Sequence, residues 1–328
     1  NIAYKNAMEL FERGKYAAAS AQFNEVERTN TVNADRNQNN TDLSSLKTDV
    51  QYYKALCALE LENDDAKELF LIFINQHPES PKTKQAYFQV GKYHFNRSNY
   101  QESLNWFTKV NDIDLSGKEN IEYRFKTGYA YFETKDYKAA QPLFASIKDN
   151  PSAYAEQATY YFAYIAYLNK DYKTALSSFE KLKGSKNYED SYPYYITAIY
   201  FLDKRYDDVI NYAVPILEAT QQTNETEMLR NVGASYFAKA NYKDAAKYYE
   251  SFMAKDKNAT QNNQDSYQIG YTYYKLKKYN QSIVQLGKLI NDKSPYSQFI
   301  HFGRCIHYFQ SKAKCQKCFS SIFKIRFR

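Results

Sequence analysis

The side chains that could do chemistry in this 328-residue chain are few and scattered. Ahead of residue 300 the only histidines are His77 and His94, and they fall in different segments. An acid–base pair or a metal centre needs such groups to converge. The carboxylate pairs Asp64-Asp65 and Asp207-Asp208 lie in turns or at helix starts, where they favour the helix N-terminus through its dipole. No His-Glu-x-x-His, Gly-x-x-x-x-Gly-Lys-Ser/Thr or Gly-x-Gly-x-x-Gly string occurs. Cys315-Gln316-Lys317-Cys318 has the spacing of half a zinc site or a redox pair, with Cys305, His301 and His307 as the remaining paper ligands. Cys57 stands alone in an apolar helical stretch and reads as a small core residue. These residues point to no enzyme, no cofactor and no metal.

Charge narrows the partners. Residues 301–328 hold seven of the 44 Lys and Arg and no acid, which leaves 37 bases against 37 acids in residues 1–300. The body is formally neutral, and Lys and Asp alternate in its turns (Lys135-Asp136, Lys170-Asp171, Asp203-Lys204). A nucleic-acid groove needs sustained positive charge beside its aromatics, so none is expected. No apolar run of about 18 residues is present, so no membrane span is expected. The basic, Cys-containing segment 301–328 departs from everything before it. A one-nucleotide shift in a permitted encoding of residues 312–319 restores the Ala-then-Phe spacing found earlier in the chain, so this end reads as out of frame. The start, Asn1 with no visible signal peptide, reads as that of a processed or partial chain.

The elements that would position any site are helices. Gly (9) and Pro (7) are too scarce for a many-stranded fold, whereas Tyr reaches 35. A Tyr follows a polar turn at Tyr16, Tyr100, Tyr137, Tyr172, Tyr206, Tyr242 and Tyr279; from Tyr100 the steps are 37, 35, 34, 36 and 37 residues. Before each turn a small residue recurs (Ala7, Gly91, Gly128, Ala163, Gly233, Gly270). After it comes another (Ala19, Ala66, Ser103, Ala140, Ala175, Ala245, Ser282), with a large one four residues on (Phe23, Phe70, Phe107, Phe144, Phe179, Tyr249, Leu286). Glycine inside a helix costs about 1 kcal/mol relative to alanine, so its recurrence implies close helix crossings. The period predicts helix–turn–helix units, about eight over residues 1–300, with a polar loop inserted at 29–45. Thr197 and Val209 stand where small residues are expected, and Glu62-Asn63-Asp64-Asp65 makes a shortened turn.

Small-x-x-Tyr in one helix, then Tyr, Ala and Phe at fixed offsets in the next, with Pro78 closing a second helix, resembles the tetratricopeptide repeat. Glu9-Leu10-Phe11-Glu12-Arg13-Gly14-Lys15-Tyr16 and Tyr52-Tyr53-Lys54-Ala55-Leu56-Cys57-Ala58-Leu59-Glu60-Leu61 are similar to the N-terminal part of long extracytoplasmic tetratricopeptide proteins of Bacteroidetes-type bacteria. The resemblance implies an all-α, right-handed superhelical solenoid of antiparallel helix pairs without enzymatic activity. It implies a periplasmic or cell-envelope setting, with the cytoplasm as the alternative. It also implies that first helices line a concave groove. The groove positions are then Phe88, Phe125, Tyr160, Tyr194 and Tyr267, followed one turn on by Lys92, Tyr129, Tyr164 and Tyr271. A third rung is Phe95, Phe132, Tyr167, Phe201, Phe237 and Tyr274. Rings on this rung either pack between first helices or face a ligand.

The function expected is a non-enzymatic scaffold that binds a protein or peptide segment in an aromatic-lined groove, since Tyr combines a large ring with a polar tip. A regulatory module of a longer chain and a glycan-binding solenoid are the alternatives.

Overall fold

An apolar stripe on a helix has to bury against a neighbour, and in the computed structural model of this chain each stripe finds one in an adjacent helix. The structure describes residues 2–34, 41–219, 224–256 and 260–289. The chain divides into two compact units, Asn1–Asn169 and Lys170–Arg328. The first contains α1 (Ile2–Glu12), α2 (Tyr16–Ala34), α3 (Thr41–Glu60), α4 (Ala66–Gln76), α5 (Lys82–Asn96), α6 (Tyr100–Phe107), α7 (Gly117–Glu133), α8 (Tyr137–Ile147) and α9 (Ala155–Leu168). The second contains α10 (Tyr172–Glu180), α11 (Tyr192–Leu202), α12 (Tyr206–Ala219), α13 (Glu225–Ala238), α14 (Tyr242–Lys255), α15 (Asn263–Lys275) and α16 (Tyr279–Gly287). There is no strand among the described residues. Consecutive helices pair as α1/α2, α3/α4, α5/α6 and α7/α8 in the first unit, and as α11/α12, α13/α14 and α15/α16 in the second.

The recurrent small residues are where paired helices cross. A Cβ added to Gly91 would lie 2.3 Å from the Phe107 ring; at Gly233 it would meet Tyr249 at 2.8 Å, and at Gly270 it would meet Leu286 at 2.7 Å. The large residue of each second helix therefore fills the space left by the small residue of the first. Phe23, Phe70, Phe107, Phe144, Phe179 and Tyr249 are all fully buried. The Ser103 hydroxyl donates to the Gly91 carbonyl (2.9 Å) and Ser282 to that of Gly270 (2.8 Å), which ties the pairs at the same crossing. Thr197 and Val209 are buried as well, so the larger side chains at these positions are accommodated within the core.

The turn inside each pair follows one scheme. A residue with positive φ ends the first helix: Gly14 (70°), then Glu62, Ser98, Lys135, Lys170, Lys204, Ala240 and Lys277 (58–64°). At Lys135 the N–H donates to Phe132 O (2.9 Å) and the next N–H, of Asp136, to Tyr131 O (2.8 Å). The same two bonds recur at Ser98/Asn99, Ala240/Asn241 and Lys277/Lys278. They satisfy carbonyls that a helix end leaves open. The following residue caps the second helix: Asp136, Asp171 and Asn241 accept from the N–H three residues on. Tyr then occupies the first helical position, which is why it marks the period.

The expected polar loop at 29–45 is mostly helical. α2 continues to Ala34 and α3 begins at Thr41. Polar composition lowers helix propensity only by tenths of a kcal/mol per residue, and extending a nucleated helix adds one backbone bond for each residue fixed. Thr29 and Thr48 hydroxyls also bond back to the carbonyls of Glu25 and Ser44. Residues 35–40, and everything expected of residues 301–328, including the cysteine pair and the reading frame, lie outside the described residues.

Candidate functional site

The first-helix aromatics sort into two groups, those that complete the core and those that remain partly open. Phe88 is 0% exposed and Phe125 7%. The Phe88 ring is closed over by Phe107 (5.7 Å between centroids) and edge-on by Tyr123 from α7 (5.8 Å). Phe125 is stacked by Tyr154, the residue before α9, at 4.8 Å, and contacts Phe144 at 6.0 Å. Neither ring offers a face to a ligand, which corrects their assignment to a groove. In both cases an aromatic residue of the following repeat (Tyr123, Tyr154) covers the ring.

The third rung packs across the turn. Phe95 meets Tyr100 at 5.5 Å, Phe132 meets Tyr137 at 5.5 Å, Phe201 meets Tyr206 at 6.1 Å and Phe237 meets Tyr242 at 6.1 Å. Each is a ring at the end of a first helix against the Tyr that opens the second. A second-rung Tyr of the next repeat joins in. Tyr129 lies 5.6 Å from Phe95 and 5.7 Å from Tyr100, and Tyr271 lies 5.8 Å from Phe237 and 5.9 Å from Tyr242. Tyr164 lies 5.7 Å from Phe132. Tyr129 and Tyr271 are thus the third corners of aromatic triangles that link successive repeats, Tyr164 makes the Phe132 contact, and all three remain only half-buried.

In the first unit the open rings gather on α7 and α9. Tyr160 and Tyr164 are stacked at 6.4 Å with 11° between planes, and Tyr161 bridges Tyr160 (5.5 Å), Tyr129 (5.2 Å) and Phe132 (4.8 Å). Tyr161 escaped the sequence reading because it sits one residue beyond the expected groove position, between repeats. Burial pushes the phenols of Tyr129, Tyr161 and Tyr164 up; at Tyr129 a hydrogen bond to the Glu133 carboxylate adds to it. The phenols therefore stay protonated donors. In the second unit, Tyr194 on α11 lies 4.9 Å from Tyr195, and Tyr267 on α15 is stacked on Tyr271 at 6.0 Å.

Lys92 belongs to an ion chain rather than standing alone. Its ammonium lies 3.6 Å from Glu60 and 3.3 Å from Glu122, and Glu122 in turn is 3.8 Å from Lys126. Lys92 and Lys126 side chains are only 13% and 14% exposed. Burial lowers the Lys126 pKa, opposed by Glu122. Its ammonium rests 4.3 Å above the Phe95 ring, a cation–π contact. On α3, α5 and α7 the first-helix side thus combines aromatic faces with balanced, paired charge.

The histidines do not form a reactive site. His77 bridges α3 through Gln51 (2.5 Å) and Thr48 (3.4 Å) beside a shallow polar pocket lined by Asp49, Ser80 and Lys82. His94 is in a separate repeat, edge-on to Tyr93. Among the described residues no group of His, Cys, Asp and Glu is arranged to hold a metal, and no helix is long and apolar enough to cross a membrane.

An all-α array of small-to-large helix pairs, turned by a left-handed residue and a Tyr, defines a repeat protein of the helix–turn–helix kind. Residues 49–80, the pair α3/α4 and its closing Pro78, match the tetratricopeptide repeat family model. The same plan of helix pair and turn recurs in the other pairs, so the chain has an all-α tetratricopeptide-like repeat fold. Among solved structures, the apo form of RapI is similar at 15% identity and TM-score 0.50, covering 92% of this chain and 96% of that one. A tetratricopeptide repeat protein from Parabacteroides merdae matches at 13% identity and TM-score 0.44, over 78% of this chain and 98% of its own. PilF of Pseudomonas aeruginosa matches at 15% identity and TM-score 0.48, over 66% and 96%. No curated protein sequence matches the chain.

Proposed function

We propose that this protein is an interaction scaffold that docks a segment of a partner protein on first-helix aromatic faces. In the first unit the docking residues are Tyr129, Tyr160 and Tyr164, with Lys92 at the margin. In the second unit Tyr194, Tyr267 and Tyr271 make the corresponding surface. Tetratricopeptide repeats are a protein-interaction fold, and the observation that supports this placement is the Tyr160–Tyr164 stack. Those two rings stay partly exposed while packing on Tyr161 and Phe132, so each keeps part of its surface for a partner. Rigid rings with a polar tip contribute contact area at low entropic cost, which suits an interface anchor.

The test is a photo-crosslinking side chain at residue 160, compared with one at Ile72, an exposed position on a second helix. Adducts with a discrete polypeptide at residue 160, weakened when Tyr164 is changed to Ala, are expected. Equal adducts at both positions would place docking elsewhere. Adducts with oligosaccharide instead of polypeptide would favour glycan binding.

A further inference from the structure

Lysines and arginines lie over ring faces along much of the chain, and nearly all of those described are also paired with an acid. In the second unit Lys183 lies 5.5 Å from the Tyr212 centroid and 3.4 Å from Glu180, and Lys247 lies 5.0 Å from Tyr248 and 3.1 Å from Glu218. In the first unit Lys82 over Tyr53 is held by Asp49, and Arg97 over Tyr93 by Asp64. Tyr87 on α5 and Trp106 on α6 break this pattern. Their rings are 6.1 Å apart. The Lys109 ammonium lies 3.8 Å from the Trp106 centroid and 5.9 Å from that of Tyr87, and the Lys84 ammonium lies 5.6 Å from Tyr87. Both lysines are exposed, and neither has a carboxylate within ion-pair reach among the described residues. Lys275 shares that condition but sits on its rings alone. Among the described residues, the Tyr87–Trp106 pair is thus the one place where two unneutralised ammoniums share a ring.

The surroundings leave the positive charge uncompensated. Helix α5 contains no acid, and the single acid of α6, Glu102, is engaged by Asn105 (3.0 Å). The Trp106 N–H and the Tyr87 O–H also have no acceptor among the described residues. Both rings are half-buried, Trp106 against the Phe70 and Phe73 cluster and Tyr87 against that of Phe88 and Phe107, so they stand as fixed surfaces. Ring area, two ammoniums and two spare donors together match a carboxylate carried on a chain. We propose that Tyr87, Trp106, Lys84 and Lys109 form a separate docking patch for an acidic segment of a partner protein. Its Asp or Glu carboxylates make here the ion pairs that Glu180 and Glu218 make within the chain. A Trp and a Tyr held by the core are suitable anchors for such a segment. The patch does not depend on the first-helix docking surface.

Trp106 is the only tryptophan of the chain, so its emission reads the patch directly. The full chain would be titrated with a peptide of alternating Ala and Glu and with its isostere carrying Gln for Glu. The Glu peptide should shift Trp106 emission saturably and bind about tenfold more tightly than the Gln peptide, the order expected of two exposed ion pairs acting together. Added salt should erode that preference. The double variant Lys84→Gln/Lys109→Gln should abolish it and melt like wild type. Lys138→Gln, at an exposed lysine of α8 seated on no ring, should keep it. Equal binding of the two peptides, or no response of Trp106 to either, overturns the patch. So does a preference that survives the double variant, or one that Lys138→Gln weakens as much. Phosphatidylserine vesicles that shift the emission where the Glu peptide does not would make the patch a membrane contact and also overturn the proposal. None of these results bears on Tyr160, whose docking role stands or falls on the crosslink at residue 160.

Discussion

The four helix crossings occupied by glycine differ in how tightly they close, and the difference has a measurable sign. At Gly91 a methyl group would lie 2.3 Å from a fully buried Phe107 ring, whereas at Gly128 the nearest atoms are 3.2–3.3 Å away. Replacing glycine by alanine inside a helix gains about 1 kcal/mol of propensity, and forcing a methyl into a packed core costs about 1–3 kcal/mol. Gly91→Ala should therefore destabilise the protein, while Gly128→Ala should be close to neutral, as judged by urea melts. Equal effects would mean that the α5/α6 crossing relaxes as readily as α7/α8. The histidines give a second residue-level expectation. Burial, reinforced at His77 by Lys47, holds both His77 and His94 below their ordinary 6.5. The unfolded chain then binds more protons than the folded one as pH falls through 6.5, so the stability held by neutral imidazoles is complete above that pH and is lost below it. The melting temperature should be level above about pH 6.5 and decline beneath it. A His77→Gln/His94→Gln variant should flatten that decline; an unchanged slope would assign it to carboxylates.

At the scale of the element, the turn is the part of the repeat that carries strain. Seven of the eight positive-φ residues that follow a first helix carry a side chain, and of these eight Gly14 alone suits that conformation without cost. A non-glycine residue there costs about 1 kcal/mol, so Ala240→Gly should stabilise the α13/α14 pair by about 0.5–1 kcal/mol and raise its melting temperature, with Gly14→Ala acting in reverse. These turns could not be read as left-handed from sequence, because Lys, Ser, Ala and Glu fill the position that glycine usually marks. The Tyr after the turn was legible because it recurs at the first helical position, with an Asp or Asn cap before it at Tyr137, Tyr172 and Tyr242. The small-to-large spacing was legible for the same reason: volume complementarity leaves residue types at fixed offsets. What spacing could not show was depth. Phe88 and Phe125 occupy the same register as Tyr160, yet Tyr123 and Tyr154 of the following repeats bury them, a contact between residues about 30 apart. Tyr129, Tyr160 and Tyr164 stay only partly buried. Phe144→Ala should cost about 3–5 kcal/mol, whereas Tyr160→Ala should leave the melt nearly unchanged and be felt only in partner binding. Comparable losses of stability in the two variants would make Tyr160 a core residue.

At the scale of the whole molecule, the repeats within each unit contact their neighbours in sequence, so stability is set by local pair and interface terms rather than by one shared core. The buried clusters bear this out in their membership: Phe252, Tyr249, Val232 and Ile269 close one core in the second unit, while Phe23, Val26, Val50 and Cys57 close another near the start of the first. Damage in one cluster should therefore stay there. Phe252→Ala removes a fully buried ring that also receives the Arg230 guanidinium at 5.0 Å, and should cost about 3–5 kcal/mol locally. Amide hydrogen exchange is the measurement that separates local from global opening. Protection should fall across α13, α14 and α15 and stay at its wild-type level in α1 to α4. A uniform loss of protection from α1 to α16 would mean that the repeats unfold as one cooperative body. The nearest-neighbour behaviour expected of such repeats would then fail.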